Sequence, residues 1–386
     1  MKFSNLLDTF DEGIFSKLNA KAIELQKMGK RIFNLFVGTP DLKPDDAILN
    51  EISTKTLNPE LAKYSLHDID ELKEAFIKHY KKRFNVTLDK DEIATCNGTQ
   101  EGMCHIGMLF GNPGDYCLLP NPGYIAFEAS AKLARVNIDY YPLLEENDFM
   151  PRLDLLDEEI LKRAKYIIIS YPSNPTGGII TKERYAEIIK ICKKYDIIIV
   201  NDNAYSDIIY DDNESFSYLS LDGAKDIGCE FYSLSKSYNT TGLRISFLVG
   251  NKEIITNFKK LRSQYDFGMY YPFQYAAIKA FEIDYKKIEA QRLEYQKRRD
   301  ILCDGLAKIG YKVYKSKGTM FIFVRIPDKY ENSMDFTIDL LEKANVLATP
   351  GISFGSLGNK YVRFALVKDQ AELKEALESI KNANLI

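Results

Sequence analysis

Lys236 closes the string Ser233-Leu234-Ser235-Lys236, and Arg244 follows eight residues later in Gly242-Leu243-Arg244-Ile245. The string continues a short run, Glu230–Ser233, that reads as a strand, and ligands of open α/β sheets bind at the carboxyl ends of strands. Lysine and arginine total 52 here, so any one lysine is ordinarily a surface residue; its context sets this one apart. An amine partly desolvated among small hydroxyl residues loses its proton more readily and can form an imine with an aldehyde. Other polar groups stand in similar places. Asp202 and Tyr205 follow the apolar run Ile197–Val200. Asn174 lies in Tyr171-Pro172-Ser173-Asn174-Pro175-Thr176-Gly177, after Tyr166–Ser170. Gly98-Thr99-Gln100 follow Glu92–Cys96 and open a helical stretch, Glu101–Phe110, whose free N–H groups and positive dipole end suit a phosphate. Arg363 is a charge in an alternating apolar strand, Tyr361–Leu366, and so needs a partner. Each has a plainer reading: a strand-end turn for Asp202, a loop for Asn174, a short glycine turn for Gly98.

Taken in order, Asn-Pro-Thr-Gly, Asp-x-x-Tyr and Ser-x-Ser-Lys with its following Arg resemble the class I/II aminotransferases of fold-type I, and the resemblance runs from about residue 30 to about residue 370. It implies pyridoxal phosphate (PLP) as cofactor, with Lys236 as its anchor and the general acid/base of the reaction. It places Asp202 against the pyridine nitrogen, where a carboxylate favours the protonated ring and strengthens an electron sink. Tyr205 and Asn174 fall on the phenolic oxygen. Gly98, Thr99, Gln100, Ser233 and Arg244 fall around the phosphate, and Tyr124, ending Asn121-Pro122-Gly123-Tyr124, on the ring face. Arg363 grips the substrate α-carboxylate in two-point fashion, with Asn174 and Gly38 at the same end. Tyr64 resembles the tyrosine that reaches the phosphate in a neighbouring subunit, which implies a homodimer. The resemblance has departures. Ser246, Asp68 and Lys73 stand where Gly, Gly and Arg are usual; Ser246 is expected to alter packing near the phosphate and Asp68 the inter-subunit loop.

The implied activity moves an amino group from an L-amino acid to a 2-oxo acid. A PLP-dependent C–S β-lyase would share every residue named and stays open as an alternative. A non-catalytic PLP-binding regulatory module is a second, with no DNA-binding segment in front to support it. Neither G-x-x-x-x-G-K-[ST] nor G-x-G-x-x-G occurs, so a nucleotide-dependent enzyme has no support. Tyr265–Gln274 resembles the subgroup containing LL-diaminopimelate and some aspartate and alanine enzymes; aspartate or glutamate with 2-oxoglutarate is the starting expectation for substrates.

These residues need a scaffold, and the middle of the chain supplies one. Strands are expected at Glu92–Cys96, Tyr116–Leu119, Val136–Tyr141, Tyr166–Ser170, Ile197–Asn201, Glu230–Ser233 and Ile245–Val249, several as continuous apolar runs of the kind buried on both faces. Helices between them are marked by Leu72, Ala75, Phe76, His79, Tyr80 and Phe84, with Asp70 as N-cap, and by Tyr185, Ile188, Ile189 and Cys192 within Arg184–Lys194. That alternation predicts an α/β fold, a mostly parallel central sheet covered by helices. After a long charged helix, Tyr285–Ile309, strands at Tyr311–Tyr314, Met320–Ile326, Val346–Thr349 and Tyr361–Val367 predict a smaller α+β unit. The expected division is 1–45 as an N-terminal segment packing with the small domain, 46–280 as the large PLP-binding domain and 281–386 as the small domain.

Composition narrows the rest. In 386 residues, 45% apolar and 28% charged, disorder is excluded and more than one core is expected. A net charge of −3 argues against nucleic acid as partner, and Lys81-Lys82-Arg83 reads as a solvated helix face. Cys96, Cys104, Cys117, Cys192, Cys229 and Cys303 form no C-x-x-C pair, and His67, His79 and His105 have no ligand spacing, so no metal site is expected. Early acidic residues (Asp8, Asp11, Glu12) and short apolar runs predict neither signal peptide nor membrane span, and hence a cytoplasmic protein.

Overall fold

The computed structural model describes residues 1–10 and 13–386; Asp11 and Glu12 lie outside the described residues. In chain order the strands are β1 (Phe33–Asn34), β2 (Ile93–Cys96), β3 (Tyr116–Asn121), β4 (Asn137–Pro142), β5 (Ala164–Ser170), β6 (Ile198–Asp202), β7 (Gly228–Ser233), β8 (Ser246–Gly250), β9 (Phe321–Arg325), β10 (Val346–Leu347), β11 (Thr349–Pro350) and β12 (Tyr361–Ala365). Seven form the central sheet in the order β2-β8-β7-β6-β5-β3-β4. The pairs among β3 to β7 are parallel, whereas β8 runs antiparallel to both β2 and β7. This is the mostly parallel α/β sheet expected. β7 is buried at every position and β5 at all but Lys165, because helices cover both faces and leave no side of these strands wet. Leu72, Phe76, Tyr80 and Phe84 form the buried face of helix Asp70–Phe84, and Tyr185, Ile188, Ile189 and Cys192 that of Lys182–Tyr195.

Register decides where the chemistry emerges. Ser170 at the end of β5 pairs with Asp202 at the end of β6, and Asp202 pairs with Phe231 in β7. Residues just beyond these ends therefore leave the sheet along one rim, where parallel strands gather their carboxyl ends.

The C-terminal part adds a three-stranded antiparallel sheet, β11-β12-β9, in which Arg363 is flanked by Thr349 and Phe323. β1 pairs in parallel with β10, so Phe33 and Leu35 join the core of Met320, Ile322, Val324 and Leu340. Helix Tyr285–Ile309 contributes Ile288 to the central-sheet core and Tyr295, Leu302 and Leu306 to this second one. Among the described residues no helix is long and apolar enough to cross a membrane.

Four local expectations are corrected. Tyr311–Tyr314 is not a strand: Val313 makes one isolated bridge to Val324, and the N–H groups of Lys317 and Gly318 bond to the Gly177 carbonyl, which pulls the chain off the sheet edge. Val346–Thr349 is two short strands in different sheets, not one. Asp70 is the first helical residue, not the N-cap; that position is Ile69, and Asp70 pairs with Lys90 at 3.2 Å. Arg83 does not belong to a solvated face, because its Nε reaches the buried carboxylate of Asp207 at 3.0 Å; a buried carboxylate without a cation would be costly. All six cysteines are free, and five are buried.

Candidate active site

All the residues assigned a cofactor or substrate role above, except Gly98 and Tyr64, line one cavity of about 400 Å³. It opens at the carboxyl rim of the central sheet, and β12, Phe354 and the Phe36–Thr39 segment close it from the other side. Lys236 projects from a single helical turn, Leu234–Ser237, immediately after β7. Its Nζ donates to the Gly38 carbonyl at 2.6 Å. Burial, with the cationic Arg363 and Arg244 nearby, lowers its pKa to about 8. About a tenth of this amine is therefore neutral at pH 7, far more than for an ordinary lysine, and an imine-forming nucleophile must be neutral.

Asp202 is the opposite case. Burial pushes its carboxyl up to about 7, the Ala204 N–H at 3.3 Å pulls it down less, and the charge of Glu230 in the neighbouring strand pushes it up further. Among the described residues no cation neutralises it. Arg363 spans from β12 to the Asn174 loop: Nη1 donates to Asn174 Oδ1 at 2.8 Å and Nη2 to the Phe36 carbonyl at 3.0 Å and Thr349 Oγ1 at 3.3 Å. Phe321 and Phe354 hold their rings 4.0 and 4.7 Å from the guanidinium carbon. Burial lowers even this pKa, to about 10, against the pull of Tyr205 and Tyr124.

At the other end, Gly98 has φ +89° and precedes helix Thr99–Phe110. A Cβ there would meet Arg244 Nη2 at 2.2 Å, so only glycine lets the arginine lie across the helix N-terminus. Ser233 Oγ accepts from the Ser235 N–H at 3.1 Å and shapes the same corner. Tyr124 donates to Gln100 Oε1 at 3.3 Å. Tyr205 lies with its ring centroid 5.9 Å from Lys236 Nζ. Tyr64 stands apart on the surface, 75% exposed, its ring 4.8 Å from that of Phe267.

The donor set suits pyridoxal phosphate. Asp202 is a buried carboxyl that a ring N–H would help to ionise, and Asn174 turns its carbonyl to Arg363, which leaves its amide N–H for a phenolic oxygen. Thr99 Oγ1 is buried without a protein partner at the helix N-terminus, beside an arginine; an anion there would satisfy both. Among the departures, Ser246 is buried in β8 and its Oγ donates to the Cys96 carbonyl at 3.4 Å, while Asp68 accepts from the Thr95 N–H at 3.2 Å, just before the Gly98 turn. Lys73 pairs with Asp70 at 3.5 Å on the outer helix.

Several contributors were not found in the sequence. Thr349 and the two phenylalanines that hold Arg363 gave no signal, since Phe321 and Phe354 look like ordinary core residues until the topology brings them together. Ile125, exposed at the cavity wall, likewise carried no motif.

Known proteins resemble this chain over its full length. Residues 30–380 match the model of the family described as aminotransferase class I and II. The LL-diaminopimelate aminotransferase of Aquifex aeolicus is 37% identical over 386 residues, the whole of both chains. Among solved structures, apo-BacF from Bacillus subtilis is 34% identical with a TM-score of 0.95, covering 100% of this chain and 99% of that one. An aminotransferase from Staphylococcus aureus is also 34% identical, with a TM-score of 0.91 over 99% of this chain and 100% of that one. With its fold, its rim of strand-end residues and its full-length likeness in hand, the chain belongs to the class I and II aminotransferases, pyridoxal-phosphate enzymes that move amino groups.

Proposed function

We propose that this chain transfers the amino group of an L-amino acid to a 2-oxo acid at the Lys236 cavity. The observation that carries this reading is convergence: a buried amine held near pKa 8, a buried carboxyl without a cation and a pre-set guanidinium face one space. Bound there, PLP supplies an electron-poor ring that stabilises negative charge at the substrate's α-carbon. The chain does the rest. Asp202 holds a proton on the ring nitrogen, and Tyr205 and Asn174 donate to the phenolic oxygen. Gly98, Thr99, Gln100, Ser233 and Arg244 bind the phosphate, and Tyr124 covers the ring face. Arg363 orients the substrate through its carboxylate, with Asn174 and Gly38 beside it. Lys236 Nζ would take the substrate's α-proton and give it back at the cofactor's aldehyde carbon, the general acid/base step.

Two further features belong to the proposal. The exposed Tyr64, Leu66, Tyr265 and Phe267 support a homodimer in which Tyr64 reaches the partner's phosphate. Two cores joined by helix Tyr285–Ile309 support the division at about residues 45 and 280, and six unpaired thiols support a reducing, cytoplasmic setting.

The test is the visible spectrum of the purified protein with PLP, before and after single amino acids. LL-diaminopimelate comes first, after the relatives' name, beside aspartate and glutamate. A yellow band that one amino acid bleaches, and that Lys236→Ala lacks, is expected. Pyruvate and ammonia without an acceptor would move the function to the β-lyase. A colourless protein that takes up no PLP would sink the reading.

A further inference from the structure

The turn that carries Lys236 is four residues long, and the last carbonyls of so short a helix have no N–H of their own helix to accept from. Partners come from far along the chain. Gln291 Nε2 donates to the Lys236 carbonyl at 2.8 Å. Its Oε1 accepts from Asn239 Nδ2 at 2.6 Å, so the amide is itself oriented. One residue on, Ser237 Oγ donates to Asp207 Oδ2 at 2.6 Å. Asp207 is buried, and its other oxygen accepts from Arg83 Nε at 3.0 Å. None of Gln291, Asn239, Asp207 and Arg83 lines the cavity. They grip the lysine turn from behind.

Gln291 has a second property. It lies on helix Tyr285–Ile309 between Ile288, which belongs to the central-sheet core, and Tyr295, which belongs to the C-terminal core. Two turns further along, Arg298 Nη1 donates to Asp41 Oδ1 at 2.7 Å and to the Leu366 carbonyl at 3.0 Å. Asp41 lies three residues after Gly38, and Leu366 three after Arg363. One rigid helix thus touches the lysine turn at one point and both segments around the substrate carboxylate at another.

We propose that Gln291 and Asp207 are positioning residues for Lys236. They fix the backbone from which its amine reaches the reacting carbon, and Gln291 ties that placement to the helix that also holds the Gly38 and Arg363 segments. The inference rests on Lys236 being the anchor and proton carrier. A reacting group misplaced by about 1 Å costs on the order of a hundredfold in rate while binding is little changed, so the effect should fall on kcat.

The experiment compares holoenzyme variants by kcat, KM and the pH midpoint of the visible band. Gln291→Met keeps the volume and removes the amide; Ser237→Ala removes only the link to Asp207, and Ser237→Thr keeps the hydroxyl. For Gln291→Met, kcat is expected to fall about tenfold with KM changed less than about twofold, and the band midpoint to shift. Ser237→Ala should move in the same direction and Ser237→Thr should recover. Wild-type kcat and midpoint in both Gln291→Met and Ser237→Ala would overturn the proposal, and if Gln291→Met fails to fold, the Ser237 pair decides alone. Lys236→Ala separates the two levels. A band that survives it would refute the anchor assignment itself, whereas a band lost there but indifferent to the other variants refutes the positioning alone.

Discussion

Arg363 Nη1 donates to Asn174 Oδ1 at 2.8 Å, joining the C-terminal sheet to the loop after β5. The bond fixes both partners before a substrate arrives. Asn174 can present only its N–H side to the cavity, and the guanidinium, clamped between Phe321 and Phe354, keeps a buried Nε with no protein partner. The arginine is thus placed to receive a carboxylate with little reordering, and such preorganisation spares binding energy that a mobile side chain would lose.

Arg363→Lys should not rescue this site. Lysine offers a point charge in place of a planar fork, and its three donors on one nitrogen cannot serve Asn174, the Phe36 carbonyl and Thr349 and still meet a carboxylate. Arg363→Gln, which leaves the carboxylate without its cation, should cost about 3 kcal/mol, roughly a hundredfold in kcat/KM, and Arg363→Lys should lose activity in the same direction. Steady-state kinetics on Arg363→Lys and Arg363→Gln check this, and a loss under about threefold in both would mean that the carboxylate binds elsewhere.

Asp202 carries an opposite trade. Its folded pKa, about 7, lies above the ordinary aspartate value of 3.8. The unliganded fold therefore resists ionising it. The penalty is absent below about pH 4, grows as pH rises, and levels off above about pH 7 at about 4 kcal/mol. Asp202→Asn should accordingly raise the melting temperature of the apoprotein at about pH 8 and much less at about pH 5, while weakening PLP binding by at least about tenfold. Calorimetry across pH and a cofactor titration measure the two halves. An apoprotein destabilised by the change at pH 8 would refute the account.

The strand ends were readable because continuous apolar runs such as Tyr166–Ser170 mark buried parallel strands, and each polar residue following a run falls at the rim. That logic placed Asn174, Asp202, Tyr205 and Lys236 without coordinates. It failed where placement depends on partners distant in sequence. Tyr311–Tyr314 has the composition of a strand but is drawn away by Gly177, and Arg83 looked solvated until Asp207 was found beneath it. Gln291 gave no sign at all, being one more polar residue in a charged helix, because its meaning lies in a carbonyl 55 residues away.

Gly98 admits no side chain while Arg244 keeps its place. Gly98→Ala would need a Cβ within 2.2 Å of Arg244 Nη2 in a left-handed conformation. The displaced arginine should weaken PLP binding by about tenfold or more, with less effect on the pyridoxal form that lacks phosphate. Parallel titrations with both compounds test this; equal losses would place the phosphate elsewhere.

Lys236 should report its surroundings through pH. With its amine lowered to about 8 by burial and by Arg363 and Arg244, PLP uptake by the apoprotein should accelerate with pH around that midpoint. Arg363→Gln, which removes one cation, should raise the midpoint. The fold also disfavours the charged amine, so Lys236→Met should stabilise the apoprotein at about pH 7 and lose that gain as pH rises from about 8 towards 10.5. A midpoint unmoved by Arg363→Gln would show that Arg363 does not help set the value.

Tyr64 can be tested by mixing subunits. Tyr64 is 75% exposed and does not line its own cavity, but across a two-fold axis every site would borrow the partner's copy. Lys236→Ala and Tyr64→Ala are each expected to be impaired alone. In a mixed dimer one site then carries both defects and the other carries neither. Random mixing makes half the dimers mixed, with one sound site in each, so about a quarter of wild-type activity should return when equal amounts are unfolded and refolded together. Activity that merely averages the two parents would mean that Tyr64 acts within its own subunit or not at all.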